Sequence, residues 1–164
     1  MRTAPARTRK SYGTLILALA IPLAVGAAAA LLTGGGMADA APLKKPPFSP
    51  PGWVFPAAWT VLYLLMGLAS WRVAFSGAGE AEKQSALSLY FVQLAANFLW
   101  PLVYFGLERR FLALICLVVL LVLVLLTRRR FRRIDRPAGR LLVPYVLWLC
   151  FAAYLNLGTI LLNR

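Results

Sequence analysis

Five uncharged apolar runs divide this chain, over residues 15–32, 53–71, 87–107, 111–127 and 141–162. Each is close to the roughly 17–25 residues that a helix needs to cross the hydrocarbon core of a bilayer. The connections between them are short, so successive helices must run antiparallel. No strand-like alternation and no internal repeat is evident, which argues against a β-barrel. The sequence therefore predicts an all-α membrane protein, a five-transmembrane-helix bundle. A basic N-terminal tail, 1–14, precedes a single membrane domain over 15–164. Composition agrees: 61% of the 164 residues are apolar and 14% are charged, whereas a soluble domain averages about 45–50% and about 25%.

The first run has a second reading. Basic residues within 2–10, an apolar stretch and then Ala38-Asp39-Ala40 imitate a secretory signal with its A-x-A cleavage site. The stretch is longer than an ordinary signal core of about 7–15 residues. It is also followed by Gly34-Gly35-Gly36, as a helix end would prefer. A retained span that stops before these glycines is the expectation.

The formal net charge is +13, from 18 Lys and Arg against 5 Asp and Glu. Such a balance often marks a nucleic-acid partner, but these charges lie between apolar runs rather than along one face. With five spans, the N-terminal tail and the second and fourth connections share one side. That side holds thirteen of the 18 basic residues, seven of them between Arg128 and Arg140. The opposite side holds Lys44, Lys45, Arg109, Arg110 and Arg164. The bias predicts a cytoplasmic N-terminus and an external C-terminus. The fourth connection, RRRFRRIDRPAGR, is better matched to anionic membrane lipid than to nucleic acid.

Several function classes fall away. There is no histidine, so zinc sites built on His, His-dependent triads and His-ligated haem are excluded. Asp39, Glu80, Glu82, Glu108 and Asp135 all lie in or beside connections. An ion-coupled pump normally needs a carboxylate or similar relay inside the membrane, and none is offered. Cys116 and Cys150 sit within apolar runs and read as small buried hydrophobes. No catalytic residue or metal ligand is assigned, and no cofactor is required.

Three spans carry a stripe of aromatic and uncharged polar groups. In the second, Ser49 is placed to cap, with Pro50 and Pro51 in the first turn and the helix running from about Gly52. Along it Trp59, Tyr63, Met66 and Ser70 fall on one face. Gln93, Asn97, Trp100 and Tyr104 repeat the spacing in the third span, as do Tyr145, Trp148, Ala152 and Asn156 in the fifth. Amides are costly against lipid tails, so these faces should turn inward. Two readings compete: helix–helix glue, and a pocket for a large, flat, mostly apolar ligand that stacks on indole rings. Trp53 and Trp71, near span ends, read as interfacial anchors.

Three segments carry a family resemblance: KPPFSPPGWVFPAAWTVLYLLMG (45–67), QLAANFLWPLVYFG (93–106) and PAGRLLVPYVLWLCFAAYLNLGTILLN (137–163). Together they closely resemble the TspO/MBR family of tryptophan-rich sensory proteins and translocator proteins (peripheral benzodiazepine receptors). The resemblance implies a five-helix bundle, often a homodimer, whose ligand pocket opens toward the first loop. It implies binding of porphyrins of the protoporphyrin IX type and of other flat apolar small molecules, with a role in tetrapyrrole handling or transport and in stress signalling. Carried over by position, the pocket residues are Trp59, Trp100, Trp148 and Ala152, with Asn97 and Tyr63 as polar contacts. The expected protein is a receptor or carrier rather than an enzyme. The alternative is light- and oxygen-dependent porphyrin degradation at the same pocket.

The sequence also departs from the family. The Trp-Tyr pair usual before Leu43-Lys44-Lys45-Pro46 is replaced by Asp39 and Ala40, which removes an aromatic lid contact. The family's early aspartate in the fourth span appears as Cys116, and its LNY reads Leu155-Asn156-Leu157, which argues against sterol binding. Oligomeric state stays open at this level, although Ala20, Ala24 and Ala28 would permit close helix approach. High Arg and Ala usage hints at a bacterial source.

Overall fold

The computed structural model describes residues 12–39 and 43–163, with no side chains for 35–39. Six α-helices follow one another: α1 (Tyr12–Asp39), α2 (Val54–Ala74), α3 (Glu80–Pro101), α4 (Arg110–Ile134), α5 (Arg136–Leu141) and α6 (Val143–Leu162). A π-helical turn, Leu102–Gly106, extends α3, and no strand occurs among the described residues. Five helical stretches are long and apolar enough to cross a membrane, with α5 and α6 making the fifth. The exposed surface fits that solvent. Phe111, Ile115, Val118, Val119, Val122 and Leu126 form an uninterrupted outer face on α4, which water would not tolerate on a monomer.

The bundle is built around α4, which packs against α3 on one side and α6 on the other. Its inner face is aliphatic: Ala113, Leu117, Leu120 and Val124 are fully buried. On the far side α1 packs closely on α2. A Cβ at Gly67 would come within 2.5 Å of the Ala18 carbonyl oxygen, so glycine sets that approach. By contrast, α6 has almost no close backbone approach to either α2 or α3. The space left between them is where the aromatic stripes meet.

Five sequence expectations need correction. Cys150, expected to be a small buried hydrophobe, is exposed, and Cys116 is only partly buried. Helix α1 continues to Asp39, through Gly34-Gly35-Gly36. Glycine costs about 1 kcal/mol in a helix interior, a penalty that weakens the helix without ending it at these positions. Ser49 does not cap α2: its hydroxyl donates to the Pro46 carbonyl at 2.7 Å, and the helix starts at Val54 after a turn over Pro51 and Gly52. Consecutive prolines disfavour helical backbone in the residues before them. The third span begins at Glu80 rather than 87, where Glu80 and Glu82 complement the helix N-terminus. The arginine-rich connection is helical almost throughout, because arginine is a good helix former. Only Asp135 separates α4 from α5, and its carboxylate caps α5 by accepting from the Ala138 N–H at 3.1 Å.

The ends of the bundle pair as antiparallel spans require. At one end Trp71 Nε1 donates to Thr14 Oγ1 at 3.3 Å, and the Arg72 guanidinium meets the Asp135 carboxylate at 3.0 Å. Arg130 donates to the Ser85 hydroxyl at 2.8 Å at the same end. At the other end Asn163 holds the first loop: its Oδ1 accepts from the Lys44 N–H at 3.0 Å, and its Nδ2 donates to the Lys44 carbonyl at 2.9 Å. The N-terminal segment 1–11, Ala40 and the Asp39 side chain lie outside what the structure describes, and with them the altered lid pair and most of the basic tail.

Candidate functional site

The site is the aromatic gap between α2, α3 and α6. Its polar floor is a chain of side chains from all three helices. The Tyr63 hydroxyl donates to Asn97 Oδ1 at 2.8 Å, and Asn97 Nδ2 donates to the Tyr145 hydroxyl at 2.7 Å. Tyr145 in turn donates to Gln93 Oε1 at 3.2 Å. Tyr145 is 0% exposed, Gln93 1% and Asn97 2%. Helical periodicity sets this up: Gln93 and Asn97 are one turn apart on α3, and Tyr63 and Tyr145 face them from α2 and α6. Interhelical hydrogen bonds in membranes average about 0.6 kcal/mol, so the chain fixes helix positions as well as lining a site.

The aromatic walls stand on that floor. Trp59 stacks on Tyr63 one turn away, with ring centroids 5.5 Å apart and an interplanar angle of 29°, and meets Tyr145 edge-on at 6.0 Å. These rings reach across the gap that the backbones leave. Nearer the first loop, Phe55 meets Trp148 edge-on at 5.9 Å, and Trp148 touches Phe151 at 5.8 Å. The Tyr63 ring lies where a Cβ on Gly26 would be, so α1 closes the back of the site only because residue 26 is glycine.

Of the sequence-predicted residues, Trp59, Tyr63 and Asn97 come together directly, with Tyr145 as the link. Ala152 is buried in the same core. Trp148 joins from the membrane side, where it lines an apolar groove of about 600 Å³ between α2 and α6. Trp100 belongs to a second aromatic group, tilted against Tyr104 at 5.5 Å and edge-on to Phe105 at 6.1 Å. The π turn keeps Tyr104 and Phe105 beside it; its widened hydrogen bond runs from the Leu107 N–H to the Leu102 carbonyl at 2.9 Å. The Trp100 indole N–H and Gln93 Nε2 are buried donors with no acceptor among the described residues. Such groups are rare and call for an explanation.

Asn156, the last member of the α6 stripe, points elsewhere. With its amide oriented to satisfy both neighbours, it donates to the Arg110 carbonyl at 3.1 Å and accepts from the Leu114 N–H at 3.2 Å. It ties α6 to the first turn of α4 and is helix–helix glue. Of the two tryptophans read as anchors, Trp53 is 72% exposed, while Trp71 is half-buried against Phe75 and bonded to Thr14.

Sequence reasoning missed two parts of the neighbourhood. Phe55 lies one turn before Trp59, so extending the α2 stripe by four residues would have found it. The clasp on the first loop carried no signal of that kind. Pro46 packs on Gly158, where a Cβ would approach the proline ring within 2.6 Å, and Tyr154 donates to the Pro47 carbonyl at 2.9 Å. With Asn163 on Lys44, these contacts seat residues 44–47 on the last turns of α6. The loop tip is strained: Phe48 has φ 63°, a conformation that costs a bulky residue about 1–3 kcal/mol.

Comparison with known proteins agrees with a multi-pass membrane fold. The TspO/MBR family model matches residues 18–162. The tryptophan-rich protein TspO of Chlorobaculum tepidum is 36% identical over 94% of this chain and 98% of its own length. The tryptophan-rich sensory protein of Cereibacter sphaeroides is 45% identical over 74% of each chain. Human translocator protein is 37% identical over 75% of this chain and 73% of its own. Trp59, Asn97, Trp100 and Trp148 all fall inside the matched region. This chain is a multi-pass integral membrane protein and belongs to the TspO/MBR family.

Proposed function

We propose that the chain is a membrane receptor or carrier for a flat, mostly apolar tetrapyrrole of the metal-free porphyrin type, held in the gap between α2 and α6. The observation that carries this reading is the gap itself. Two helices whose backbones stay apart are bridged by Trp59, Tyr145, Phe55 and Trp148, and a planar macrocycle replaces ring-on-ring contacts with like contacts. The unpaired Gln93 Nε2 donor on the polar floor suits an acceptor atom at the rim of such a ligand. The absence of histidine from the sequence favours a metal-free macrocycle over haem, which lacks its usual axial ligand here. Relatives named as sensory and translocator proteins support receptor or carrier action.

The basic end supports the accompanying orientation. Arg129, Arg132, Arg133, Arg136 and Arg140 are exposed on the helical end of α4 and on α5, as residues that meet anionic lipid in the cytoplasmic leaflet would be. A periplasm-active reporter fused after Arg164 should work, and a cytoplasm-active one should not; the reverse pattern refutes the orientation.

Titration of purified protein with metal-free protoporphyrin IX tests the ligand, read by tryptophan quenching and by porphyrin absorbance. An aromatic contact is worth about 0.5–1.5 kcal/mol beyond area burial. Trp148→Leu and Trp59→Leu, which each remove a ring that bridges the gap, should therefore weaken binding by about 2- to 10-fold. Trp71→Leu, at the opposite end of α2, should leave it unchanged. Absence of saturable binding by the unaltered protein, or equal losses at all three positions, refutes the reading.

A further inference from the structure

The groove between α2 and α6 has a role of its own. Its walls are Ala57, Ala58 and Val61 on one side and Leu147, Trp148 and Phe151 on the other, with no charged residue among the lining groups. Val61 and Leu147 are exposed, so the groove opens on the face of the bundle that meets lipid. Its inner wall is continuous with the site, because Trp148 contacts Phe55 and the next ring inward on α2, one turn along, is Trp59. It is an open depression of about 600 Å³ rather than an enclosed cavity. A second apolar groove, between α1 and α3, is walled by Ala24, Ala28, Phe91 and Phe98 and borders none of the site's tryptophans.

At the water-facing end, residues 44–47 of the first loop are pinned to the last turns of α6. Asn163 grips the Lys44 backbone at two points, Tyr154 holds Pro47, and Pro46 is buried against Gly158. A ligand dissolved in the bilayer meets small and branched side chains at the groove mouth and then the Phe55–Trp148 ring contact at its inner wall.

Resting on the tetrapyrrole reading above, we propose that the α2–α6 groove is a lipid-facing outer subsite through which a flat apolar ligand passes laterally from the membrane, while the first loop stays clasped. Ala57 and Ala58 keep the groove open, since neither carries a side chain beyond Cβ. Trp148 and Phe151 offer the passing ring its first aromatic faces.

Stopped-flow mixing tests the route, with the protein in phosphatidylcholine nanodiscs and metal-free protoporphyrin IX as the probe, read by porphyrin fluorescence. The double substitution Ala57→Leu with Ala58→Leu narrows the groove without touching the polar floor. Association and dissociation should both slow by about fivefold or more, with Kd moved by less than about twofold. Leu147→Phe narrows the facing wall and should act in the same direction, which keeps the test available if the double variant folds poorly. Asn163→Ala, which releases the loop, should leave both rates unchanged. Unaltered rates in the groove variants, or acceleration by Asn163→Ala, overturn lateral access in favour of a route through the loop. Failure of the unaltered protein to bind porphyrin at all refutes the tetrapyrrole reading itself, which is a separate outcome.

Discussion

Helix α6 meets its two neighbours in opposite ways. Toward α4 the backbones come close, an amide from Asn156 reaches the first turn of α4, and the facing surface of α4 is small or aliphatic. Toward α2 the backbones stay apart, and indole and phenol rings bridge the difference. Helix–helix contact in lipid relies on packing rather than on exclusion of water, so the close interface leaves nothing for a ligand to replace. A gap filled by rings can exchange one ring for another. Stability should therefore reside on the α4 side and recognition on the α2 side.

The largest effect should come from the α4 side. Leu120 is fully buried there, and Leu120→Ala should cost about 2–5 kcal/mol through the cavity it leaves. Thermal melting in detergent should show the loss, and porphyrin Kd for the folded fraction should not change. A selective loss of affinity would dissolve the division between the two interfaces.

Tyr145→Phe comes next and sharpens the boundary. It removes the hydroxyl that bonds both Asn97 and Gln93, at about 0.6 kcal/mol for each membrane hydrogen bond. The melting temperature should fall, and by less than for Leu120→Ala. A loss as large as that of the cavity variant would mean that the polar chain, rather than α4 packing, holds the bundle.

Trp53→Leu should have the smallest effect. The side chain is mostly exposed and contributes no ring contact to the gap, so Kd should stay within about twofold of the unaltered protein. A larger shift in the titration would extend the site outward to the first loop.

The contrast also explains what the sequence could announce. Trp59, Tyr63, Gln93, Asn97 and Tyr145 were legible because a period of 3.6 puts them on single faces, and polar groups in lipid must turn inward. The five spans were legible from length alone. The distance between α2 and α6 was not, because it depends on how α4 and α1 pack elsewhere. Nor was the clasp: Asn163, Tyr154 and Gly158 form no motif by themselves and acquire meaning only once residues 44–47 lie on α6. The misplaced helix ends have local causes. Ser49 turns back onto the Pro46 carbonyl ahead of a proline pair that delays the helix, and the three glycines weaken α1 without ending it, at about 1 kcal/mol each.

The central claim is that a flat ligand occupies the ring-bridged gap and not another part of the bundle. The most direct measurement is methyl NMR of selectively labelled protein with and without metal-free protoporphyrin IX, since a macrocyclic ring current shifts only the methyl groups near its faces. A ligand in the gap should shift the methyl groups of Ala58, Leu147 and Ala152 strongly and leave those of Leu120 on α4 and of Ala24 and Ala28 on α1 unmoved. Shifts confined to Ala24 and Ala28, or spread evenly across the bundle, would contradict the claim.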